Sequence, residues 1–223
     1  MINIIMAAIA PGIALLSFFY LKKKYDHGPI MMVIRVFLFG VLLVFPTMVL
    51  QYTLKEGLEL TPIAQSFFIA AMLEEFLKWF VLFFIAIPNV EMEERYDGII
   101  YSTAVSLGFA TLENMMYLWF YGVQEALMRA LLPVSSHALF GVIMGYYIGK
   151  AMFAEQRMKK KWLLYSLFIP IFLHGIYNYL LVIGSGRWLW LMIPFMLTLW
   201  WYGLNKVRKA AHDQHASSTY SPF

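Results

Sequence analysis

Seven apolar runs, each close to the length a helix needs to cross a hydrocarbon core, occupy almost all of this chain. They lie at about 2–21, 30–53, 62–87, 98–120, 127–152, 162–183 and 187–205. In lipid, backbone N–H and C=O groups cannot be left to solvent, so only helices and closed barrels span it. Runs of about 20 apolar residues select helices. The expected fold class is therefore all-α: a polytopic transmembrane bundle of about seven spans, forming a single domain over residues 1–205. Residues 206–223 read as a short polar tail without fixed structure. A composition that is 61% hydrophobic and 13% charged excludes an ordinary soluble domain. The first run reads as a retained span. Its charges, Lys22, Lys23 and Lys24, follow the apolar stretch, whereas a secretory signal carries them in front.

The basic residues orient the bundle. Lys22–Lys24, Arg95, Lys150, Arg157, Lys159–Lys161, Lys206, Arg208 and Lys209 fall on one side, while the opposite side holds Lys55, Arg129 and Arg187. Cytoplasmic loops carry the excess of Lys and Arg. This places the N-terminus outside and the C-terminus in the cytoplasm, which requires an odd number of spans. The same distribution makes the net charge of +4 a topology signal, and no nucleic-acid partner is expected.

Polar residues inside the apolar runs are few. The third run carries Glu74, Glu75 and Lys78, the fourth Glu113 and Asn114, the fifth His137, and the sixth His174 and Asn178. A charge at the bilayer centre costs about 2.5–3.5 kcal/mol on insertion scales, so such groups usually mark a functional site. Counted along alternating helices at 1.5 Å per residue, Glu74, Glu113, His137 and His174 all fall roughly 10–18 Å below the outer face. Four helices agreeing on one level is what a single polar site requires. Lys78 lies three and four residues after the two glutamates and can pair with either. His174 and Asn178, four apart, share a helix face.

Plainer readings exist for each group. The Glu-Glu-Lys cluster could be an ion pair that fixes helix packing, and a lone histidine is common interhelical glue. Asn178 alone would be structural, and Glu113 suits an orienting role as well as a catalytic one. His137, Gly141, Gly145 and Gly149 recur every fourth residue, a stripe that reads as close helix packing. Asp97 sits near the inner surface, where it can cap the fourth helix. The common depth of the ionisable groups favours one shared site over scattered structural pairs.

Hydrolysis without a nucleophilic side chain needs an activated water and an oxyanion stabiliser. A poorly solvated glutamate can act as base, a histidine can share and return the proton, and a second histidine with an asparagine can supply donors. The chain has no cysteine, no H-E-x-x-H zinc motif and no Ser-His-Asp set at matching depth, although Ser135 and Ser136 adjoin His137. The favoured reading needs no metal or other cofactor. Zinc held by glutamate, His137 and His174 is the closest alternative. A proton-coupled carrier using a Glu-His relay is another, but it predicts internal symmetry between the halves, and the sequence has none.

From IAPGIALLSFFYLKKKYD through EEFLKWF, YDGIIYSTAVSLGFATLEN, RALLPVSSHALFGVIMGYYIGKA and LHGIYNYL to PFMLTLWWYGL, the chain resembles the PrsW family of bacterial membrane proteases. These lie within the wider glutamic intramembrane group that includes the CAAX-prenyl endopeptidases. The resemblance implies an endopeptidase of the bacterial plasma membrane that makes the first, extracytoplasmic cut in a membrane-spanning anti-sigma factor. Release of an extracytoplasmic-function sigma factor under envelope stress would follow. It further implies that Glu74 activates water with His137, that Glu75 supports the site, and that His174 and Asn178 form the oxyanion hole. Glu113 belongs to the PrsW-like pattern. The prenyl enzymes carry E-E-x-x-x-R where this chain has E-E-x-x-K, which leaves the role of Lys78 and the division of work between Glu74 and Glu75 open.

Overall fold

A computed structural model describes residues 2–23, 30–89, 92–183 and 188–218, with side chains as far as residue 212. Lys24 and Arg187, two of the orienting basic residues, and the end of the tail at 219–223 lie outside the described residues. The regular structure among the described residues is entirely helical. Seven helical segments follow one another: α1 (Ile2–Leu21), α2 (Ile30–Gly57), α3 (62–89), α4 (Arg95–Tyr121), α5 (Val123–Met152), α6 (Gln156–Ile183) and α7 (Trp188–Ser218).

Four of these, α1, α2, α5 and α6, are long and apolar enough to cross a membrane on length and composition. The other three are diluted by the buried charges of α3, the Ser, Thr and Gly of α4, and the Trp and Tyr of α7. Large apolar side chains such as Leu42, Phe45, Phe120, Phe172, Trp190 and Leu197 are each more than half exposed on the outside of the bundle. Keeping such side chains in water would forfeit about 1.5–3 kcal/mol apiece, so lipid is their solvent. The chain is a multi-pass membrane protein.

Helix α4 is the central post. It is buried from Tyr96 to Thr111 and packs most extensively against α5, α2 and α1. The α4–α5 crossing depends on glycine. A Cβ on Gly98 would fall 2.5 Å from the Gly145 carbonyl oxygen, closer than real Cβ atoms come. Small residues let backbones approach where no hydrophobic effect separates helix from lipid. The sequence stripe Gly141–Gly145–Gly149 is therefore the face of α5 that meets α4.

At the lysine-rich end, Asp97 organises the start of α4. Its Oδ2 accepts the backbone N–H groups of Glu93 and Glu94, at 2.9 and 2.8 Å, and its Oδ1 pairs with Lys23 at 2.7 Å. The expected cap thus also ties α1 to α4. Tyr96 adds a second tie by donating its hydroxyl to the Phe19 carbonyl at 3.0 Å. Helix α7 does not stop where its apolar run ends. It continues to Ser218, and Val207 and Ala210, one turn apart, are buried against the bundle. A polar composition around these two small apolar residues masked that packed stripe.

Helix α3 is built inside out. Glu74, Glu75 and Lys78 face inward and are almost fully buried, while Phe76, Phe80 and Phe84 point outward. These phenylalanines, four apart, meet at tilted angles with centroids 6.2 and 5.0 Å from one another. The regular α turns 73–80 are flanked by π-helical stretches, Gln65–Met72 and Val81–Ala86. Such π turns shift the register of a helix face and recur at functional sites.

Candidate active site

Helices α3, α4, α5 and α6 bring five of the expected site residues together. Lys78 Nζ lies 2.8 Å from Glu75 Oε1 and 3.6 Å from Glu74 Oε2, so one ammonium serves both carboxylates. It also lies 3.1 Å from His137 Nδ1 and 4.3 Å from the centre of the Phe109 ring. His137 Nε2 is 3.2 Å from Glu113 Oε2, and His174 Nδ1 is 3.0 Å from Glu75 Oε1. The two imidazoles meet edge to face with centroids 5.1 Å apart, and His174 stacks on the buried Phe140 at 4.9 Å. Ser106 holds the backbone at His137 by donating to its carbonyl at 2.6 Å. Glu113 stands at the rim, with 40% of its side chain exposed.

The partners assign the ring protons for neutral imidazoles. An ammonium only donates, so His137 Nδ1 accepts from Lys78 and its proton sits on Nε2, facing Glu113. An ionised carboxylate only accepts, so His174 Nδ1–H donates to Glu75 and its Nε2 keeps a lone pair. This carboxylate–imidazole order fixes the tautomer and the ring orientation.

Glu74 is hydrogen-bonded at one oxygen, while the other has only the ion pair with Lys78. Gln51, from α2, donates Nε2–H to Glu74 Oε1 at 3.0 Å. Glu74 Oε2 is buried without a hydrogen bond among the described residues, as is Glu75 Oε2. Glu74 Oε2 lies 4.0 Å from His137 Nε2 and 4.0 Å from His174 Nε2. Two acceptors, Glu74 Oε2 and His174 Nε2, at this spacing can both receive hydrogens from one water molecule. The same atoms form a ligand set: donor atoms of Glu74, Glu75, His137 and His174 all lie within 4.8 Å of one another. Carboxylate oxygen and imidazole nitrogen suit zinc and related divalent ions. Three carboxylates, Glu74, Glu75 and Glu113, gather around Lys78 and His137, and this acidic set suits a divalent cation.

Asn178 stands apart from this hydrogen-bonded cluster. It is half-buried and lines a cleft of about 600 Å³ between α2, α3 and α6, together with Gln51, Gln65, Ser66 and Lys55. Gln51 links the cleft to Glu74. Two participants were not legible as site residues. Gln51 sits near a helix end, where a polar side chain is ordinary. Arg129 looked like an outer-loop charge, but it is 9% exposed, donates Nε–H to Asn114 at 2.8 Å and stacks over Tyr117 at 4.0 Å. The apolar neighbours of Arg129, Ala126 to Val134, were the available hint that it is packed inside.

Residues 28–202 match the family described as "PrsW family intramembrane metalloprotease". The chain is 55% identical to Protease PrsW of Geobacillus kaustophilus, covering 94% of this chain and 93% of that relative. It is 54% identical to Protease PrsW of Bacillus subtilis, covering 94% and 96%. Protease PrsW of Clostridioides difficile is 32% identical, covering 93% and 91%. No solved structure matches the chain. An all-helical membrane bundle with a buried Glu-Glu-His-His cluster, aligned over nearly its full length with these proteases, is a peptide hydrolase and belongs to the PrsW family.

Proposed function

We propose that the chain is a seven-span intramembrane endopeptidase, N-terminus outside and C-terminus cytoplasmic. It makes the first, extracytoplasmic cut in a single-span anti-sigma factor and so starts release of an extracytoplasmic-function sigma factor. The observation that carries the reading is Glu74 Oε2, buried without a hydrogen bond among the described residues and 4.0 Å from Nε2 of each histidine. The excess of basic residues on one side supports the orientation. The depth of the cluster supports a cut near the outer surface.

Glu74 is the general base. It takes a proton from a water shared with His174 Nε2, and the resulting hydroxide attacks the scissile carbonyl carbon. Gln51 fixes the carboxylate so that Oε2 faces the water. Glu75 orients His174 and Lys78 offsets the charge of the two carboxylates. The developing oxyanion needs donors. Asn178, on the cleft wall one turn from His174, supplies one. Protonated Glu74 returns the proton to the leaving amine as the C–N bond breaks, which balances the reaction. Glu113 receives the His137 hydrogen bond and keeps that ring turned. Carboxamides of Gln51, Gln65 and Asn178 in the cleft suit an unwound substrate, whose freed backbone groups must find partners in lipid.

A second reading is favoured by the ligand set. Glu74, His137 and His174 would hold a divalent cation, with Glu75 behind His174. The buried carboxylate oxygens without hydrogen bonds and the acidic set around Lys78 fit such an ion. When bound, it would acidify water and polarise the scissile carbonyl. The roles of Gln51, Glu75 and the cleft are the same in both readings.

The test is cleavage of a single-span anti-sigma factor by purified protein in liposomes, with the cut mapped by mass spectrometry and repeated after chelation. A cut on the outer side that persists in metal-free protein supports the glutamate reading. Loss on chelation, restored by zinc, selects the metal reading. A cut at the cytoplasmic end contradicts the orientation and the depth of the site together.

A further inference from the structure

Far from the active site, at the lysine-rich end of the bundle, three lysines from three helices turn onto a shared set of aromatic rings. Lys206 of α7 donates to Tyr147 Oη at 3.0 Å and lies 4.8, 4.8 and 4.6 Å from the centres of Tyr146, Tyr147 and Tyr202. Lys150 of α5 lies 5.1 Å from Tyr146 and 4.6 Å from Trp162. Lys161 of α6 lies 5.5 Å from Trp162 and 5.7 Å from Tyr165. Each neighbouring pair of ammonium groups therefore shares a ring. None of the three is ion-paired with a carboxylate among the described residues. A pure topology signal would leave its lysines in water. Here Lys150 and Lys206 are half-buried, with their amino groups over aromatic faces.

An apolar groove of about 500 Å³ begins at this cluster. It runs between α6 and α7, and two of its walls are Tyr165 and Tyr202, the rings that hold Lys161 and Lys206. Beyond them it is lined by Phe168, Ile169, Phe172, Leu173, Phe195 and Leu199. From residue 165 to 173 the α6 wall extends about 12 Å along the helix. The volume lies within the roughly 300–1,000 Å³ typical of small-molecule sites. Three cations at the head of a groove with an apolar tail match one amphiphile: a negatively charged headgroup joined to a hydrocarbon chain.

We propose that this corner is a binding site for an anionic phospholipid, with its phosphate among Lys150, Lys161 and Lys206 and an acyl chain in the α6–α7 groove. Basic pockets between membrane helices recognise such headgroups, and each lysine near a charged lipid surface contributes about 1 kcal/mol, or about fivefold in affinity. The site ties the extended end of α7 to α5 and α6. It involves no residue of the Glu-His cluster and holds whichever catalytic reading is correct.

The test uses the full chain, purified in a neutral detergent and mixed with phosphatidylglycerol or phosphatidylcholine of the same acyl chains. Retained lipid is counted by native mass spectrometry, and the unfolding midpoint is followed in parallel. The expected result is phosphatidylglycerol retained at least about fivefold over phosphatidylcholine, with a raised midpoint. K150Q/K161Q/K206Q should abolish the preference, and K161Q, at an exposed position, should weaken it without lowering the midpoint in phosphatidylcholine. Ile169→Trp, which fills the groove and leaves every charge in place, should lower retention of phosphatidylglycerol. Equal retention of the two lipids, or an undiminished preference in both lysine variants, overturns the proposal. A midpoint shift by soluble glycerol phosphate equal to that of the lipid also overturns it, because the groove would then have no part.

Discussion

His174 donates Nδ1–H to Glu75 Oε1 across 3.0 Å, which leaves its Nε2 lone pair on the side of Glu74. Glu75 is fully buried, and Lys78 holds the same oxygen at 2.8 Å. In the proposed mechanism Glu75 therefore acts through the ring and not on the substrate. Removing it by Glu75→Leu lets the ring choose the other tautomer. The expected result is a fall in kcat of about 10–100-fold at nearly unchanged KM, since orienting partners of this kind carry that much. Glu75→Asp should recover part of the loss. A rise in KM alone would place Glu75 in substrate binding.

Gln51 is expected to act on kcat as well. Its hydrogen bond to Glu74 fixes which oxygen stays free. A bond to a charged group is worth about 1.5–3 kcal/mol, so Gln51→Leu should slow turnover by about 10–100-fold. Gln51 also lines the cleft. Steady-state kinetics on a peptide substrate separate the two contributions: a change confined to KM would assign Gln51 to the cleft and leave Glu74 untouched by it.

Lys78 is the only cation touching the two adjacent glutamates among the described residues, and its side chain is 1% exposed. Lys78→Met leaves buried carboxylates without their partner. Breaking a buried pair by removing one member costs about 3–5 kcal/mol. The variant should unfold well below wild type in detergent. Lys78→Met paired with Glu75→Leu should recover stability but not activity. Equal stability of wild type and Lys78→Met would contradict an ionised cluster.

The α4–α5 crossing is expected to be as intolerant as the site it supports. Gly145 lies against the Gly98 backbone, and Gly98 against that of Gly145. Gly145→Leu must push the helices apart, which at about 1–3 kcal/mol or more for overpacking should lower the unfolding midpoint. It should also reduce activity by separating Glu113 from His137. Gly57, with open space around it, should accept alanine without effect on either readout.

Much of the site was legible because lipid makes polar residues conspicuous. Glu74, Glu75, Glu113, His137 and His174 stand out against apolar runs, and helix rise alone puts them at one level. The all-helical bundle followed from the same runs. The signal fades where a residue has two plausible settings. Gln51 and Arg129 sit near helix ends, where polar side chains are ordinary, so only packing reveals that one touches Glu74 and the other is buried on Asn114. The π turns that flank 73–80 carry no residue-type signature, yet such turns shift the register of a helix face. The packed end of α7 hides in a polar segment because its buried face comprises small residues such as Val207 and Ala210.

The most direct measurement is single-turnover cleavage of a single-span substrate in liposomes by wild type and Glu74→Gln, with circular dichroism and the unfolding midpoint as checks of the fold. Glutamine keeps the shape and the Gln51 contact but cannot take the proton from water. With Glu74 as general base, the folded variant should lose at least about 100-fold in rate. A folded Glu74→Gln protein that cleaves at the wild-type rate would show that the free oxygen between the two histidines is not where the reaction begins.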